Sequence, residues 1–164
     1  MTITTFLGTI AVAFLAMEVA AGLMHRFVMH GILWIWHVDH HVQTGNVFQK
    51  NDLFALMFAI PSWLLIMTGM QTGPRDIRTA IGFGVLAYGA VYTVVHETII
   101  HGRLPWRIRT KHWYFDALRE AHAVHHRSLI RGGCKNFGML CVHWRYFRKH
   151  QARAKERPLA MTQE

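Results

Sequence analysis

The sequence predicts an all-α integral membrane protein, a bundle of about three to four transmembrane helices whose cytoplasmic helical cap carries a histidine-rich dimetal site. Three observations support this fold class. Of the 164 residues, 52% are hydrophobic, yet the formal charge is +9. The hydrophobic residues form three long runs that the basic residues flank, as in membrane proteins. Ten of the 13 histidines fall in four boxes with matched spacing. A chain of this length is expected to form a single membrane-bound domain, 1–164.

The three apolar runs are close to the length that crosses a hydrocarbon layer of about 30 Å. They cover residues 3–24, 53–70 and 79–100. The first does not resemble a cleaved signal peptide, because no Lys or Arg precedes it and the apolar run is too long. We expect Pro61 to kink the second helix. In the third run, Gly82, Gly84 and Gly89 would let a neighbouring helix approach closely.

Glu18 is the single charged residue of the first apolar run. A carboxylate is costly in lipid, so we expect Glu18 to face protein rather than acyl chains. Two interpretations remain open. The side chain contacts a neighbouring helix or supports a metal ligand, or it lies near enough to one end of the span to reach water.

The distribution of Lys and Arg predicts the orientation in the membrane. Only Arg75 and Arg78 lie between the second and third runs, and the other 16 basic residues lie within 25–51 and 101–164. The positive-inside rule places those two regions in the cytoplasm and the N-terminus outside, as in a bacterial inner membrane. With three spans, all four histidine boxes then lie on the cytoplasmic side, where they can converge.

After the third run the chain becomes amphipathic and basic, which is typical of a membrane interface. A helix is predicted over 116–127. The basic residues 148–164 are predicted to form a surface helix or a flexible tail beside anionic headgroups. Nucleic-acid binding is another common meaning of a high charge, but no basic repeat or fold motif accompanies it here, so no nucleic-acid partner is expected. Cys134 and Cys141 are too few and too close for a disulfide framework.

The histidine boxes have two kinds of spacing. In H-x-x-H-H, three imidazoles share one face of an α-helix. In H-x4-H, five α-helical residues turn through about 140°, which separates the pair. Gly31 and Gly102 directly follow the two H-x4-H pairs, and glycine is a common residue just past a helix end. We therefore expect the first histidine of each pair in a last helical turn and the second at a helix end. The candidate metal ligands are His25, His30, His37, His40, His41, His96, His101, His122, His125 and His126.

Ten imidazoles indicate a dimetal centre. Imidazole suits Fe, Zn, Cu or Ni, and ten ligands are too many for one tetrahedral zinc ion. The acids are too few for a carboxylate-rich di-iron bundle. The H-E-x3-H stretch is one residue longer than the zinc-protease motif requires, and a bis-His haem would not need ten histidines.

Four acids are candidates to accept the outer N–H of a ligating imidazole, with a solvated surface position as the alternative. They are Asp39, Glu97, Asp52 and Glu120. The three histidines outside the boxes are predicted to be surface residues: His112, His143 and His150.

At these boxes the chain closely resembles the bacterial β-carotene hydroxylases of the fatty acid hydroxylase and sterol desaturase superfamily. The resemblance extends over roughly residues 17 to 142, with matching stretches at 17–19, 25–41, 51–55, 87–89, 95–101, 121–126, 131–134 and 137–138. Two places depart from the pattern: Glu97 and the residues after it in the third box, and the pair Lys135 and Asn136.

This resemblance implies a non-haem di-iron monooxygenase that hydroxylates C3 of carotenoid β-ionone rings with O2. It implies electrons from reduced ferredoxin or a similar donor, and conversion of β-carotene through β-cryptoxanthin to zeaxanthin, with canthaxanthin to astaxanthin as a further reaction. Zinc can occupy such histidine sites in purified protein.

An apolar polyene would reach the site from the lipid. Candidate tunnel residues, with lipid-facing packing as the alternative, are Met57, Phe58, Trp63, Met67, Phe83 and Tyr88. Two other functions remain: hydroxylation of a sterol or acyl chain, and metal binding without catalysis in a membrane protein. The sequence leaves the oligomeric state open.

Overall fold

The computed structural model describes residues 1–42, 46, 48–106, 108 and 110–160, and this part of the chain is helical, without strands. Three helical stretches are long and apolar enough to cross a membrane. They cover Ile3–Ile32, Lys50–Thr72 and Ile77–Ile100. The predicted fold class is therefore confirmed, and the residues that the structure describes contain three candidate spans.

The chain order of the helices is simple. They are α1 (Ile3–Leu23), α2 (Trp34–His41), α3 (Leu53–Thr72), α4 (Ile77–Tyr92), α5 (Trp113–His126) and α6 (Trp144–Ala160). Two π-helical segments continue α1 and α4 without a break, over Met24–Ile32 and Thr93–Ile100. A short 3-10 turn over Lys50–Asp52 leads into α3.

Helix α4 packs against both α1 and α3 through glycines. A Cβ added at Gly82 would lie 2.8 Å from the Ser62 carbonyl oxygen of α3, and one added at Gly84 would lie 2.7 Å from the Ile10 carbonyl oxygen of α1. These distances are too short for any side chain, so both glycines permit close helix approach as predicted. Gly89 faces open space, and the same prediction is wrong for it.

The outer surface of the spans is apolar, as contact with lipid requires. Val12 and Leu15 of α1 are 68% and 67% exposed, which in a membrane protein indicates side chains directed at acyl chains. Helix α3 continues through Pro61, so this residue does not interrupt the helix. Glu18 turns inward and contacts protein, which decides between its two interpretations: it packs against neighbouring chain rather than reaching water.

The cap consists of α2, α5 and α6. Helix α5 begins at Trp113, earlier than predicted, because the ring of His112 accepts the N–H of Tyr114 and caps the N-terminus. Helix α6 packs on α5 around a small core of Ala117, Ala121 and Tyr146. The basic stretch 148–160, predicted as a surface helix or a flexible tail, is helical, and residues 161–164 lie outside the described part.

Candidate metal centre

His25, His30 and His96 lie on the two π-helical segments, and His101 directly follows the second segment. A π-helix forms hydrogen bonds between residues five apart, and the N–H of His101 bonds the carbonyl oxygen of His96 at 3.0 Å. This bonding places the two side chains of each pair next to each other. The ring centroids of His25 and His30 are 5.2 Å apart, and those of His96 and His101 are 4.6 Å apart.

This geometry adds to the expectation that a helix end aligns each pair. That expectation assumed α-helical rotation, whereas the π-helix itself places residues five apart on one face. His30 is the last residue before the kink at Gly31, and His101 caps the segment that ends at Ile100, so both lie at helix ends as predicted. The glycines mark these ends. Gly31 has non-helical torsion angles, with φ −106° and ψ −121°, and Gly102 has a left-handed φ of +61°.

The two H-x-x-H-H boxes form the last turns of two short cap helices. Helix α2 ends at His41 and α5 ends at His126. Because residues i, i+3 and i+4 share one face of an α-helix, each box directs its imidazoles toward the ends of the spans. The cap thus places its boxes against the π-helical pairs.

The ten imidazoles form two groups of five. The first cluster contains His25, His30, His37, His41 and His125, with ring centroids 4.4 to 5.2 Å apart for most pairs. The second cluster contains His40, His96, His101, His122 and His126, with comparable separations of 4.3 to 5.0 Å for most pairs. In each cluster, four histidines offer nitrogen atoms within 4.8 Å of one another.

The cap helices exchange one imidazole between the clusters. In each H-x-x-H-H box the middle histidine belongs to a different cluster from the other two. His40 of α2 belongs to the second cluster, and His125 of α5 belongs to the first. The ring of His125 lies 4.8 Å from that of His30, and the ring of His40 lies 4.5 Å from that of His101. The two clusters are therefore interlocked by imidazoles from both cap helices.

Two histidines of the first cluster donate their outer N–H groups to backbone carbonyls. Nδ1 of His25 lies 3.1 Å from the carbonyl oxygen of Phe137, and Nδ1 of His125 lies 2.9 Å from that of Lys135. A carbonyl oxygen only accepts hydrogen bonds, so each neutral imidazole carries its proton on Nδ1. Nε2 of both rings therefore directs a lone pair into the cluster.

His37 is oriented in the same way. Its Nδ1 lies 2.6 Å from Oδ1 of Asn51, and its Nε2 lies 3.2 Å from Nε2 of His25. Two lone pairs that face each other at this distance repel, and a cation bound between them removes the repulsion. The donor set therefore fits a metal ion that prefers imidazole.

The second cluster is backed by a chain of charges. Nδ1 of His96 lies 2.6 Å from Oε1 of the buried Glu97. Oε2 of Glu97 lies 2.6 Å from Nε of Arg103, whose Nη2 donates to Oδ1 of Asp52 at 2.7 Å. Glu97 thus contacts an imidazole as predicted, whereas Asp52 is connected to it only through Arg103.

The other two acidic candidates contact none of the ten imidazoles. Asp39 accepts the backbone N–H of Lys50 at 2.6 Å. Glu120 accepts hydrogen bonds from Lys149 at 2.6 Å and from His150 at 2.7 Å. Asp39 is one residue from His40, and Glu120 is two residues from His122. On an α-helix these offsets turn the acids about 100° and 200° away from the face that carries the box histidines. His150 therefore forms a hydrogen bond between α6 and α5 rather than being a free surface residue.

Burial keeps the cap imidazoles neutral. Loss of hydration lowers the pKa of His37 and of His125 to about 3. It is also the largest cause that lowers the pKa of His41 and of His101 to about 4, with smaller contributions from neighbouring basic groups. Neutral imidazole is the form that binds metal, so these side chains are ready to act as ligands at neutral pH.

Sequence reasoning missed several partners of the histidines. Gln49 accepts from Nδ1 of His40 at 3.2 Å, and Asn51 accepts from His37. Both lie near the 3-10 turn, and no periodic pattern marks them. The sulfur of Cys134 lies within 4.8 Å of nitrogen atoms of three histidines in the first cluster: His30, His41 and His125. The remaining histidines, His112 and His143, are exposed, as predicted.

The predicted tunnel residues are mostly directed outward. Four of the six are exposed on the surface of the spans, which supports lipid-facing packing: Met57, Trp63, Met67 and Phe83. Phe58 is half-buried, and Tyr88 is buried and donates a hydrogen bond to Glu18. An open cleft of about 460 Å³ lies elsewhere, beside His101, and includes Ile99 and Ile108.

Comparison with known proteins identifies the family of the chain. A family model described as fatty acid hydroxylase matches residues 10–149. A β-carotene hydroxylase of Pantoea ananas is 41% identical over 129 residues, which cover 79% of this chain and 73% of that protein. A β-carotene hydroxylase of Paracoccus sp. (strain PC1) is 36% identical over 138 residues, which cover 84% and 83%.

A plant relative is more distant. The chloroplastic β-carotene 3-hydroxylase of an Oncidium hybrid cultivar is 31% identical over 135 residues, which cover 79% of this chain and 44% of that protein. No solved structure matches the chain. The family match and the bacterial relatives extend over most of the chain, and the residues of the family match include all four histidine boxes. The chain therefore belongs to the fatty acid hydroxylase family, a family of monooxygenases.

Proposed function

We propose that the chain hydroxylates carotenoid β-ionone rings at C3 with O2, at a centre of two iron ions. The observation that carries the proposal is the pair of interlocked five-imidazole clusters at the ends of apolar, membrane-length helices. Relatives named β-carotene hydroxylase supply the substrate class. The proposed sequence is β-carotene to β-cryptoxanthin to zeaxanthin, with canthaxanthin to astaxanthin as a further reaction.

Each cluster is proposed to hold one ion. The first cluster would bind one iron ion through His25, His30, His37, His41 and His125, and the second would bind the other through His40, His96, His101, His122 and His126. Iron supplies the reductive activation of O2 when bound. Since imidazole also suits zinc, zinc is expected to replace part of the iron in purified protein.

The chain itself contributes orientation and exclusion of water. The Nδ1 contacts to Phe137, Asn51 and Glu97 fix the ring planes, because an imidazole held at one nitrogen cannot rotate away from its metal. Burial of the clusters keeps bulk water from the reacting atoms. We place the approach of the ring at the cleft beside His101, where Ile99 and Ile108 offer apolar contact next to the second cluster.

The membrane arrangement follows from charge. We propose a single membrane-bound hydroxylase domain over residues 1–164, with the N-terminus outside and both clusters on the cytoplasmic side. The concentration of basic residues in 25–51 and 101–164 supports this orientation. A cytoplasmic ferredoxin or a similar one-electron donor would supply the electrons, and the carotenoid would arrive from the lipid.

Product analysis in a host that accumulates β-carotene tests the proposal. Expression of the full chain is expected to give β-cryptoxanthin and zeaxanthin, identified by chromatography and mass. Expression of H37A or of H122A, each lacking one ligand, is expected to give neither product. A chain that binds iron but leaves β-carotene unchanged would contradict the proposal. Hydroxylated sterol or acyl lipid would then indicate a different substrate, and no hydroxylated lipid at all would indicate a non-catalytic metal protein.

A further inference from the structure

We infer that Glu18 is a positioning residue of the first cluster, because its carboxylate holds the segment that orients two of the cluster's histidines. We call residues 135–141 the return segment, since it comes back from the cap to the flank of α1. The inference rests on the proposed function in one respect, namely that the first cluster binds a metal ion. It assigns a task to a charged residue inside a membrane span.

The carboxylate of Glu18 is the centre of a dense set of hydrogen bonds. Its Oε1 accepts from three consecutive backbone N–H groups at 3.0, 3.0 and 2.8 Å, those of Met139, Leu140 and Cys141. Its Oε2 accepts from the hydroxyl of Tyr88 on α4 at 2.8 Å. Successive N–H groups that converge on one point form an anion-binding concavity, and here the anion is a side chain of the same protein.

The depth of Glu18 explains why a charged residue is needed there. It lies six residues before Met24, about 9 Å further into the helix than the end of the apolar run. The return segment has no regular secondary structure. Backbone N–H groups at membrane depth are costly unless they are bonded, and one carboxylate satisfies three of them.

Gly138 shows that the turn is built around the carboxylate. A Cβ added at Gly138 would collide with the carbonyl group of Cys141 and would lie 3.5 Å from Oε1 of Glu18. The chain can therefore close around the carboxylate only when residue 138 has no side chain. This is a second observation, independent of the hydrogen bonds, that ties the return segment to Glu18.

The other end of the return segment reaches the first cluster. The carbonyl oxygen of Phe137 accepts from Nδ1 of His25, and that of Lys135 accepts from Nδ1 of His125. Asn136 between them has a left-handed φ of +62°, a conformation that Asn tolerates better than most residues. Displacement of this segment would release the rings of two ligands together.

The second cluster takes its outer contacts from other parts of the chain. Glu97 contacts His96, and Gln49 contacts His40. Loss of the Glu18 carboxylate is therefore expected to weaken one metal site selectively, which distinguishes positioning from general damage to the fold.

The test measures iron in the full-length protein in detergent, loaded anaerobically with ferrous iron. The wild type is expected to hold two ions per chain. E18A is expected to bind the ion of the first cluster about 10- to 100-fold more weakly, the usual effect of losing an outer partner of a ligand, so that about one ion per chain remains in the presence of a chelator. E18Q keeps one acceptor oxygen and should be intermediate, and G138A should resemble E18A. The control S62A removes a buried hydrogen bond between α3 and α4, away from the return segment, and should hold two ions.

Double variants assign the lost ion to its cluster. In H122A, where the second cluster lacks a ligand, addition of E18A is expected to remove the remaining ion. In H37A, where the first cluster is already damaged, E18A is expected to change little. If E18A fails to fold by size-exclusion chromatography, E18Q and G138A carry the same test.

Two results would overturn the inference, and they are distinguishable. E18Q and G138A that hold two ions with the wild-type affinity would show that the return segment does not position the first cluster, and the proposed function would stand. A wild-type protein that binds no iron would overturn the proposed function, and the inference with it.

Discussion

Oδ1 of Asn51 accepts the Nδ1–H of His37 at 2.6 Å, and both residues are buried. Asn51 belongs to the 3-10 turn that begins the second span, whereas His37 lies on cap helix α2. The start of a membrane span therefore orients a ligand that the cap contributes. This contact fixes which nitrogen of His37 faces the first cluster.

Substitution of Asn51 is expected to weaken the first metal site. N51L has a similar volume but no acceptor, so His37 would lose its orienting bond and the affinity for one ion should fall about 10- to 100-fold. N51D keeps an acceptor oxygen and should retain the ion. Competition with a chelator measures both affinities. Wild-type affinity in N51L would show that the contact does not matter for binding.

The exchange of imidazoles between cap helices predicts an unusual pattern of variants. H40A should impair the same ion as H101A, although His40 lies next to His41 in sequence. H125A should impair the same ion as H30A. The release kinetics of two iron ions to a chelator, recorded for each single variant, separate the two classes. Grouping of H40A with H41A would contradict the interlocked arrangement.

Removal of the Arg103 guanidinium is expected to destabilise the protein. R103M leaves the carboxylates of Asp52 and Glu97 without their shared cation. Breaking a buried ion pair by removing one partner costs about 3–5 kcal/mol, and R103K should recover part of that loss. Thermal unfolding in detergent measures the effect.

A matched control is available outside the cap. Arg78 pairs with Asp76 at a distance of 2.9 Å, but its side chain is 39% exposed. R78M removes a guanidinium from a solvated pair and should leave the unfolding midpoint close to that of the wild type. Equal shifts for R103M and R78M would show that burial of the Arg103 network contributes nothing.

Metal-free protein is expected to become less stable as the pH falls. The pKa of His37 and of His125 is about 3, and that of His41 and of His101 is about 4. In the unfolded chain these groups titrate near about 6.5. Below that pH the unfolded state binds protons that the folded state does not, so the free energy of unfolding decreases with acidification, and above it these groups contribute no slope.

Unfolding midpoints of chelator-treated protein between about pH 8 and pH 4 check this sign. H37Q with H125Q removes two of the titrating groups and should flatten the dependence. A midpoint that stays constant or rises on acidification would show that the clusters accept protons without cost in the folded state.

The positions of the ten histidines in the chain predicted their convergence, but not how it is achieved. The H-x4-H spacing predicted helix ends at Gly31 and Gly102, which the structure has, but it did not predict the π-helical segments that lead to those ends. No residue type is typical of a π-helix. The additional residue per turn is stabilised by contacts in the folded protein, which the sequence does not show. Here those contacts are between His25 and His30 and between His96 and His101.

The outer partners of the imidazoles were harder to anticipate. Glu97 was accessible to sequence reasoning because it adjoins His96. Asn51 was not, because no periodic pattern marks it. The carbonyl groups of Lys135 and Phe137 were not, because every residue has a backbone oxygen and its direction depends on local torsion angles. Asp39 is the opposite case. It adjoins His40 in sequence, but its side chain lies on another side of α2 and accepts the backbone N–H of Lys50 instead.

The sequence by itself determined the membrane class, the three apolar spans and the set of ten imidazoles, because hydrophobic length, charge asymmetry and box spacing are properties of the linear chain. Only the tertiary structure decided which imidazole joins which cluster and what holds each ring. Those choices depend on the docking of the cap against the π-helical ends of the spans. They also depend on Glu18, whose role is visible only when the return segment lies against it.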